Sequence, residues 1–205
     1  MTYLKILNKI PRKVSIGLSG GVDSMVLLDF LLKGGREVTA LHFNHGTEKS
    51  SEYEEFVVNQ CKSKGVKLVV GTLNEKIPKK RSREDFWREK RYEFFNDNSF
   101  QKVITCHHLD DAVETWVFSS IKGTPKLIPY ERKFIIRPLL LNKKSRIYDW
   151  ADQHSIEYIF DKSNDDVSFD RNYIRNIMMP HILKINPGIY KNIRKKIISK
   201  EITRV

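Results

Sequence analysis

The segment VSIGLSGGVDS, at residues 14–24, is the main evidence for the fold predicted for this chain of 205 residues. Residues 14–18 form a short apolar run that ends in a glycine-rich turn, and residues 25–32 carry the apolar spacing of a helix. Gly34 and Gly35 follow as a stop signal for that helix. A strand, a glycine turn and a helix in this order open a parallel α/β sheet, whose ligands bind beyond the carboxyl ends of its strands.

The segments outward from this unit repeat the alternation of strand and helix. Further strands are predicted at residues 38–43, 67–70, 103–105 and 135–136. Further helices are predicted at residues 52–64, 82–96, 110–121, 143–154 and 172–183, with Ser82 and Asp85 as a capping pair. This alternation predicts an open, mostly parallel sheet with helices on both faces. We therefore predict one α/β domain at residues 1–185 and a basic helical extension at residues 186–205.

The composition favours a globular protein with a polyanionic partner. Hydrophobic residues make up 40% of the chain, and 37 basic residues against 25 acidic ones give a net charge of +12. Charge alone does not separate RNA, DNA, nucleotides and anionic lipids as partners. No apolar stretch has the length of a membrane span and no secretory signal is recognisable, so no membrane partner is predicted. Cys61 and Cys106 form no CxxC pair, which predicts a reducing compartment, by default the cytoplasm.

The glycine turn SGGVDS, at residues 19–24, has the residue types of a phosphate-binding loop. Gly20 and Gly21 allow backbone amides to approach phosphate oxygens, while Ser24 and the first helical turn add donors and a positive dipole end. The carboxylate of Asp23 tolerates phosphate only through a cation, which makes Asp23 the predicted Mg²⁺ ligand. No GK[ST] sequence follows, so the turn is not a Walker A loop. The alternative is a glycine-rich turn that binds nothing.

The hexapeptide SGGVDS resembles the signature of the N-type ATP pyrophosphatases, which cleave ATP to AMP and pyrophosphate. Six further motifs follow it: LHFNHG (41–46), SREDFWREKRY (82–92), TCHHLDDAVET (105–115), IRPLL (136–140), DKSNDD (161–166) and RNYIR (171–175). With this order and spacing, residues 13–180 are similar to the N-terminal catalytic domain of the tRNA(Ile)-lysidine synthetase family. The resemblance implies a Rossmann-like sheet of the adenine nucleotide alpha hydrolase type.

The same resemblance implies a ligase that uses ATP and Mg²⁺ to modify a tRNA(Ile) with a CAU anticodon. The C2 carbonyl oxygen of the wobble cytidine is adenylated, and the ε-amine of L-lysine then attacks C2 and displaces AMP. The implied ATP contacts are Ser19, Gly20, Gly21, Val22, Asp23, Ser24, His45 and His108. His45 is equally consistent with a plain turn histidine. No oligomeric state follows from the sequence.

Asp23 and three further side chains are predicted to be catalytic. Asp111 and Glu114 lie three residues apart and share one face of a helix, where they can hold the lysine ammonium and accept a proton. A magnesium-binding, structural or helix-capping role is the alternative for either carboxylate. The resemblance places Arg88 near the reacting centre, where its charge stabilises the adenylated base. An exposed salt-bridge face with Glu84 is the alternative for Arg88.

The predicted RNA contacts are Lys122, Arg137, Arg171 and Arg175. Internal pairing of the arginines with Asp161 and Asp166 is the alternative. Family members usually carry Arg-Gly where Lys122-Gly123 stands here, and lysine lacks the planar fork of a bidentate contact. Trp87 takes a position where a small residue is common, so local packing or a substrate contact differs there. The basic segment beyond residue 188 is either an RNA contact or a solvated end.

Two other functions remain open. Cytidine 2-thiolation uses a similar loop, but that family holds a cluster on cysteines, and this sequence has no CxxC pair. A catalytically silent tRNA-binding remnant is the second alternative, and the intact set of Asp23, Arg88, Asp111 and Glu114 argues against it. Lysine-dependent release of pyrophosphate distinguishes the enzyme from the remnant.

Overall fold

The computed structural model describes residues 3–79, 81–99, 102–160, 167 and 169–203. Its strands are β1 (Lys13–Gly17), β2 (Glu37–Asn44), β3 (Lys67–Thr72), β4 (Val103–Ile104), β5 (Glu131–Arg132) and β6 (Ile135–Ile136). Its helices are α1 (Val22–Lys33), α2 (Ser50–Ser63), α3 (Arg83–Asn98), α4 (Leu109–Ile121), α5 (Lys144–Gln153), α6 (Asp170–Tyr173), α7 (Met179–Ile185) and α8 (Ile189–Ile202). A 3₁₀ turn at Pro138–Leu141 precedes α5, and a π-helical segment at Ile174–Met178 joins α6 to α7.

The strands form one six-stranded sheet in the order β3-β2-β1-β4-β6-β5. All neighbouring pairs are parallel except β5 and β6. The first strand lies in the middle, where Ile16 is opposite Ala40 on one side and Ile104 on the other. The strand order reverses direction between β1 and β4, and a crevice for ligands opens at such a point, at the carboxyl ends of the strands.

Side chains alternate between the two faces of the sheet. Ile16, Ala40 and Ile104 belong to a core with α1, α2 and α5, whereas Leu41, Val103 and Ile135 pack with Phe95 of α3. The approach of α3 is close, since a Cβ atom added to Gly17 would lie 2.7 Å from the Phe95 ring. The prediction of an open, mostly parallel sheet with helices on both faces is confirmed.

Most predicted elements agree with the structure to within a few residues. The side chain of Ser82 accepts a hydrogen bond from the Asp85 amide at 3.5 Å, as the predicted cap requires. Strand β5 was not predicted because Glu131 and Arg132 are both charged and form no apolar run. The helix predicted at residues 172–183 is interrupted by the π-helical segment. Pro180 follows that segment, and its missing N–H removes one hydrogen bond of a regular α-helix.

The basic segment at the end of the chain forms α8 and packs against α4. Ile189, Ile193 and Ile197 are buried in the same core as α4. The carboxylate of Glu201 accepts a hydrogen bond from the Tyr130 amide at 3.1 Å. A domain boundary at residue 186 stays a prediction. In the part of the chain that the structure describes, no helix has the length and apolarity to cross a membrane.

Candidate active site

Hydrogen bonds made by its own serines fix the shape of the loop between β1 and α1. The Ser24 hydroxyl donates to the Gly21 carbonyl at 2.8 Å and accepts from the Ser19 amide at 3.3 Å. Gly20 has a φ of +86°, which favours glycine, and its carbonyl accepts a hydrogen bond from Ile159 at 2.9 Å. Because a helix leaves its first amides without intrahelical acceptors, the start of α1 presents free donors at the crevice.

Asp23 forms an ion pair that the sequence did not predict. Both its carboxylate oxygens lie within reach of Lys144 Nζ, at 2.8 Å and 2.6 Å. The backbone amide of Lys144 donates to Asp110 at 2.8 Å, which fixes the start of α5 against the start of α4. One signal was available: a lysine at the positively polarised start of a helix is unfavourable without a partner.

His108 lies buried among three carboxylates at the start of α4. Its ring nitrogens are 3.5 Å from Asp110, 3.5 Å from Asp111 and 3.8 Å from Asp23. Burial lowers the pKa of His108, but Asp111 and the other carboxylates raise it more, so the net shift is upward. This shift favours the imidazolium form, which balances part of the negative charge next to the loop. Tyr190 adds a hydrogen bond to Asp110 at 3.0 Å, another contact that the sequence did not predict.

Asp111 and Glu114 share one face of α4, as their spacing predicted, and both contact Arg175. The Nε and Nη2 atoms of Arg175 each lie 2.8 Å from an oxygen of Glu114, and Nη2 lies 3.4 Å from Asp111. Burial raises the pKa of Glu114 and outweighs the opposing effect of Arg175. Burial also raises the pKa of Asp111, but His108 and His107 shift it to a net decrease. An RNA contact by Arg175 stays a prediction.

Three arginines, Arg88, Arg91 and Arg137, act electrostatically on His107 and are called the arginine cluster below. Arg137 directly follows β6, is only 5% exposed and donates to the Pro129 carbonyl at 2.9 Å. The guanidinium groups of Arg88 and Arg91 lie 5.7 Å and 5.9 Å from the centre of the Tyr92 ring. Burial lowers the pKa of His107 to about 3; Asp111 opposes this shift and the three arginines add to it. His107 therefore experiences the acidic residues of α4 and the arginine cluster together.

Aromatic rings line the end of β2 beside the cluster. The His45 ring stacks on Trp87 with centroids 5.0 Å apart and contacts Phe43 edge-on at 5.1 Å. Burial, followed by the charge of Arg91, lowers the pKa of His45 to about 4. The guanidinium of Arg83 lies 5.0 Å from the Trp87 centroid. Trp87 thus packs on His45, a packing role for the residue at which this sequence departs from the resembled family.

The lowered pKa values of His45 and His107 predict that acid destabilises the fold. His45 and His107 have folded pKa values of about 4 and about 3, against 6.5 when unperturbed. Below about pH 6.5 the unfolded chain binds more protons than the folded chain, so the free energy of unfolding decreases as the pH decreases toward 4. We expect the free energy of unfolding to be roughly 2 kcal/mol lower at about pH 5.5 than at neutral pH. Urea unfolding measures this slope. A His45→Gln/His107→Gln variant should lose it, and His181→Gln should not.

The other predicted RNA contacts lie apart from this cluster. Lys122 follows the last residue of α4, at the opposite end from Asp111, with its Nζ 4.0 Å from the centre of the Phe118 ring. Arg171 is exposed and adjoins Glu114. The alternative partners Asp161 and Asp166 lie outside the described residues. Among the residues that are described, no group of three or more His, Cys, Asp or Glu side chains could hold a metal ion by itself.

Comparison with known protein sequences finds one matching family model and several similar proteins. The model of the ATP-binding PP-loop domain family matches residues 2–182. The tRNA(Ile)-lysidine synthase of Francisella philomiragia is 32% identical over 204 residues, covering 93% of this chain and 51% of that protein. The enzyme of the same name from Persephonella marina is 36% identical over 196 residues, covering 86% of this chain and 43% of that protein. The chain therefore spans about half the length of the curated relatives that it matches.

Solved structures show the same fold at lower identity. The U34-tRNA thiolase NcsA of Methanococcus maripaludis, solved with its 4Fe–4S cluster, has a TM-score of 0.73 and 18% identity. The match covers 97% of this chain and 74% of the thiolase. An NH3-dependent NAD synthetase from Campylobacter jejuni has a TM-score of 0.50 and 15% identity. At these identities the likeness concerns the fold alone.

Proposed function

Because this chain belongs to the PP-loop domain family, we propose that it catalyses ATP-dependent formation of lysidine in a tRNA(Ile) with a CAU anticodon. The observation that carries this proposal is the meeting of two groups at one sheet edge. The phosphate-binding loop reaches the carboxylates of α4 through Asp23, His108 and Asp111. An adenylating centre and a site for a cationic nucleophile are therefore adjacent.

The loop supplies the groups that bind ATP. Free amides at the start of α1 donate hydrogen bonds to phosphate oxygens, and the Ser19–Ser24 hydrogen bonds fix the shape of the loop. His45 and His108 remain the proposed side-chain contacts with the nucleotide. Asp23 fits a magnesium site, since Mg²⁺ takes one or two carboxylates and completes its shell with water and substrate phosphates. When bound there, the ion neutralises charge on the phosphates of ATP.

Lys144 is the proposed partner of the departing pyrophosphate. Its ammonium group lies 2.6 Å from the Asp23 carboxylate, beside the loop. Beside the loop, the Lys144 ammonium group would stabilise the phosphate oxygens that gain charge as the bond to the α-phosphorus breaks. In this step the C2 oxygen of the cytidine attacks the α-phosphorus and pyrophosphate leaves. Arg88 is the proposed countercharge near the base.

Asp111 and Glu114 have different proposed roles: Asp111 binds the lysine ammonium group and Glu114 accepts its proton. The lowered pKa of Asp111 keeps it ionised, which suits a ligand for an ammonium group. The raised pKa of Glu114 makes it the better proton acceptor when the lysine amine attacks C2 and AMP leaves. Arg175 holds Glu114 in place through two hydrogen bonds. The proton released by the amine is thereby retained at the site.

Release of pyrophosphate and incorporation of labelled lysine test the proposal together. Wild-type protein is incubated with ATP, Mg²⁺ and a tRNA bearing a CAU anticodon, with and without lysine. We expect one lysine incorporated for each pyrophosphate released, and none with ornithine or with a GAU anticodon. Asp23→Ala supplies the background rate. Pyrophosphate release without lysine incorporation would assign the centre to another nucleophile, such as the sulfur of a thiolation reaction.

Binding without turnover is the other result that contradicts the proposal. If folded protein binds ATP and the tRNA but releases no pyrophosphate, the chain acts as a tRNA-binding module only. A thiolation reaction is disfavoured by the two cysteines of this sequence. Cys61 is buried, and burial raises the pKa of Cys61 to about 11 and that of Cys106 further. Both side chains are therefore held as unreactive thiols.

A further inference from the structure

Positive and negative charges are balanced on one side of the site and unbalanced on the other. Asp23 pairs with Lys144, Glu114 pairs with Arg175, and His108 faces Asp110 and Asp111. In the part of the chain that the structure describes, the arginine cluster has no such carboxylate partners. Among the described residues, Arg12, Arg81 and Arg175 form ion pairs with carboxylates, whereas Arg88, Arg91 and Arg137 do not.

The unbalanced cluster is partly desolvated. Arg137 is 5% exposed, and its Nε atom is buried without a hydrogen-bond partner in the described structure. Burial lowers the pKa of Arg91 and of Arg137, the shift expected for cations that lack an anion. A buried charge without a partner is strongly unfavourable, and a ligand that supplies the opposite charge would remove that cost.

Three elements bring the cluster to the ligand side of the sheet. Arg137 directly follows β6, His107 follows β4, and Arg88 and Arg91 project from α3. The carboxyl ends of β4 and β6 are neighbours, since Ile104 pairs with Ile136. His107 and Arg137 therefore lie at the edge that also carries the phosphate-binding loop, and the charges of Arg88 and Arg91 act on His107 there. Planar guanidinium forks bind phosphate oxygens through paired hydrogen bonds.

We propose that Arg91 and Arg137, with Arg88 as a third charge, bind a phosphate group of the RNA that flanks the reacting cytidine. The assignment to RNA rests on the proposed function. It is favoured over the phosphates of ATP because these already have donors at the start of α1 and countercharge at Lys144. A phosphate held here places the attached cytidine beside His107, between the cluster and the carboxylates of α4.

Thermal unfolding with inorganic phosphate tests the pocket without any catalytic readout. At constant ionic strength, phosphate should raise the melting temperature of the wild-type protein by about 2–4 °C relative to chloride. Arg91→Met and Arg137→Met should lose most of that increase, and Arg91→Met should, in chloride, melt no lower than wild type. Arg12→Met, at the opposite edge of the sheet, should keep the full increase. An unchanged phosphate response in both cluster variants would overturn the pocket.

Chemical neutralisation of single phosphates identifies the source of the ligand. An anticodon stem-loop is prepared with a neutral methylphosphonate on either side of the cytidine, and its affinity is measured with wild-type and Arg91→Met proteins. One of the two replacements should weaken wild-type binding about tenfold and leave Arg91→Met binding nearly unchanged. Pyrophosphate affinity should be equal in both proteins. A loss of pyrophosphate affinity in Arg91→Met, with no coupling to either methylphosphonate, would overturn the RNA assignment.

The same measurements separate this inference from the proposed function. If wild-type protein does not bind the stem-loop, the proposed function fails, and the phosphate response still reports on the pocket. If it binds the stem-loop and incorporates lysine, but neither cluster variant couples to a methylphosphonate, the inference alone fails. Arg91→Lys serves as a folded control that keeps the charge and should restore part of the coupling.

Discussion

Replacing Lys144 by methionine is expected to slow RNA-dependent pyrophosphate release by about 100-fold or more. The physical reason is the position of the ammonium group, which lies 2.6 Å from Asp23 at the phosphate-binding loop. A cation there stabilises charge that develops as pyrophosphate leaves, and methionine retains the length of the side chain without the charge. Single-turnover measurement of pyrophosphate at saturating ATP isolates this step from nucleotide binding.

The neighbouring lysine provides a matched control for this prediction. Lys143 adjoins the same helix, but its Nζ lies 4.3 Å from the centre of the Tyr190 ring. Lys143→Met should therefore retain a rate within about threefold of wild type. A large rise in the KM for ATP with an unchanged single-turnover rate in Lys144→Met would show that Lys144 only neutralises the ground state.

The part of the fold that depends on local pattern could be predicted from sequence. The glycine turn, the alternating strands and the Ser82 cap are encoded by neighbouring residues, and each has its counterpart in the structure. Strand β5 and the π-helical segment were not predicted because neither has a local sequence pattern. The two residues of β5 are charged and form no apolar run, and the extra residue of a π turn leaves no pattern of its own.

The same difference between local and long-range relations applies to the candidate site. The spacing of Asp111 and Glu114 predicted a shared helix face, because that relation is local. The pairing of Asp23 with Lys144 joins residues 121 positions apart, and the pairing of Glu114 with Arg175 joins residues 61 apart. Contacts at such separations are created by the packing of helices, so one sequence without relatives does not specify them. The charge balance between the two sides of the site depends on the same long-range contacts, so the sequence did not predict it.

Replacing Arg175 by methionine is expected to lower the free energy of unfolding by about 2 kcal/mol at neutral pH. Glu114, with only 9% of its side chain exposed, would lose both of its 2.8 Å hydrogen bonds and remain a buried charge without a partner. The expected loss is smaller than for a fully buried pair because the Arg175 side chain is 37% exposed. Urea unfolding of Arg175→Met and of the exposed control Arg171→Met measures the difference.

The stability loss of Arg175→Met should depend on pH and on Glu114, which distinguishes the Arg175–Glu114 pair from an RNA contact. The pKa of Glu114 is already raised in the fold, so an unpaired Glu114 takes up a proton as the pH decreases. The deficit of Arg175→Met should therefore be largest above neutrality and smallest near about pH 5. Glu114→Gln combined with Arg175→Met should recover most of the lost stability, because no buried charge remains. If Arg175→Met retains wild-type stability and loses only RNA affinity, Arg175 serves the RNA instead, and its bond to Glu114 contributes little to the fold.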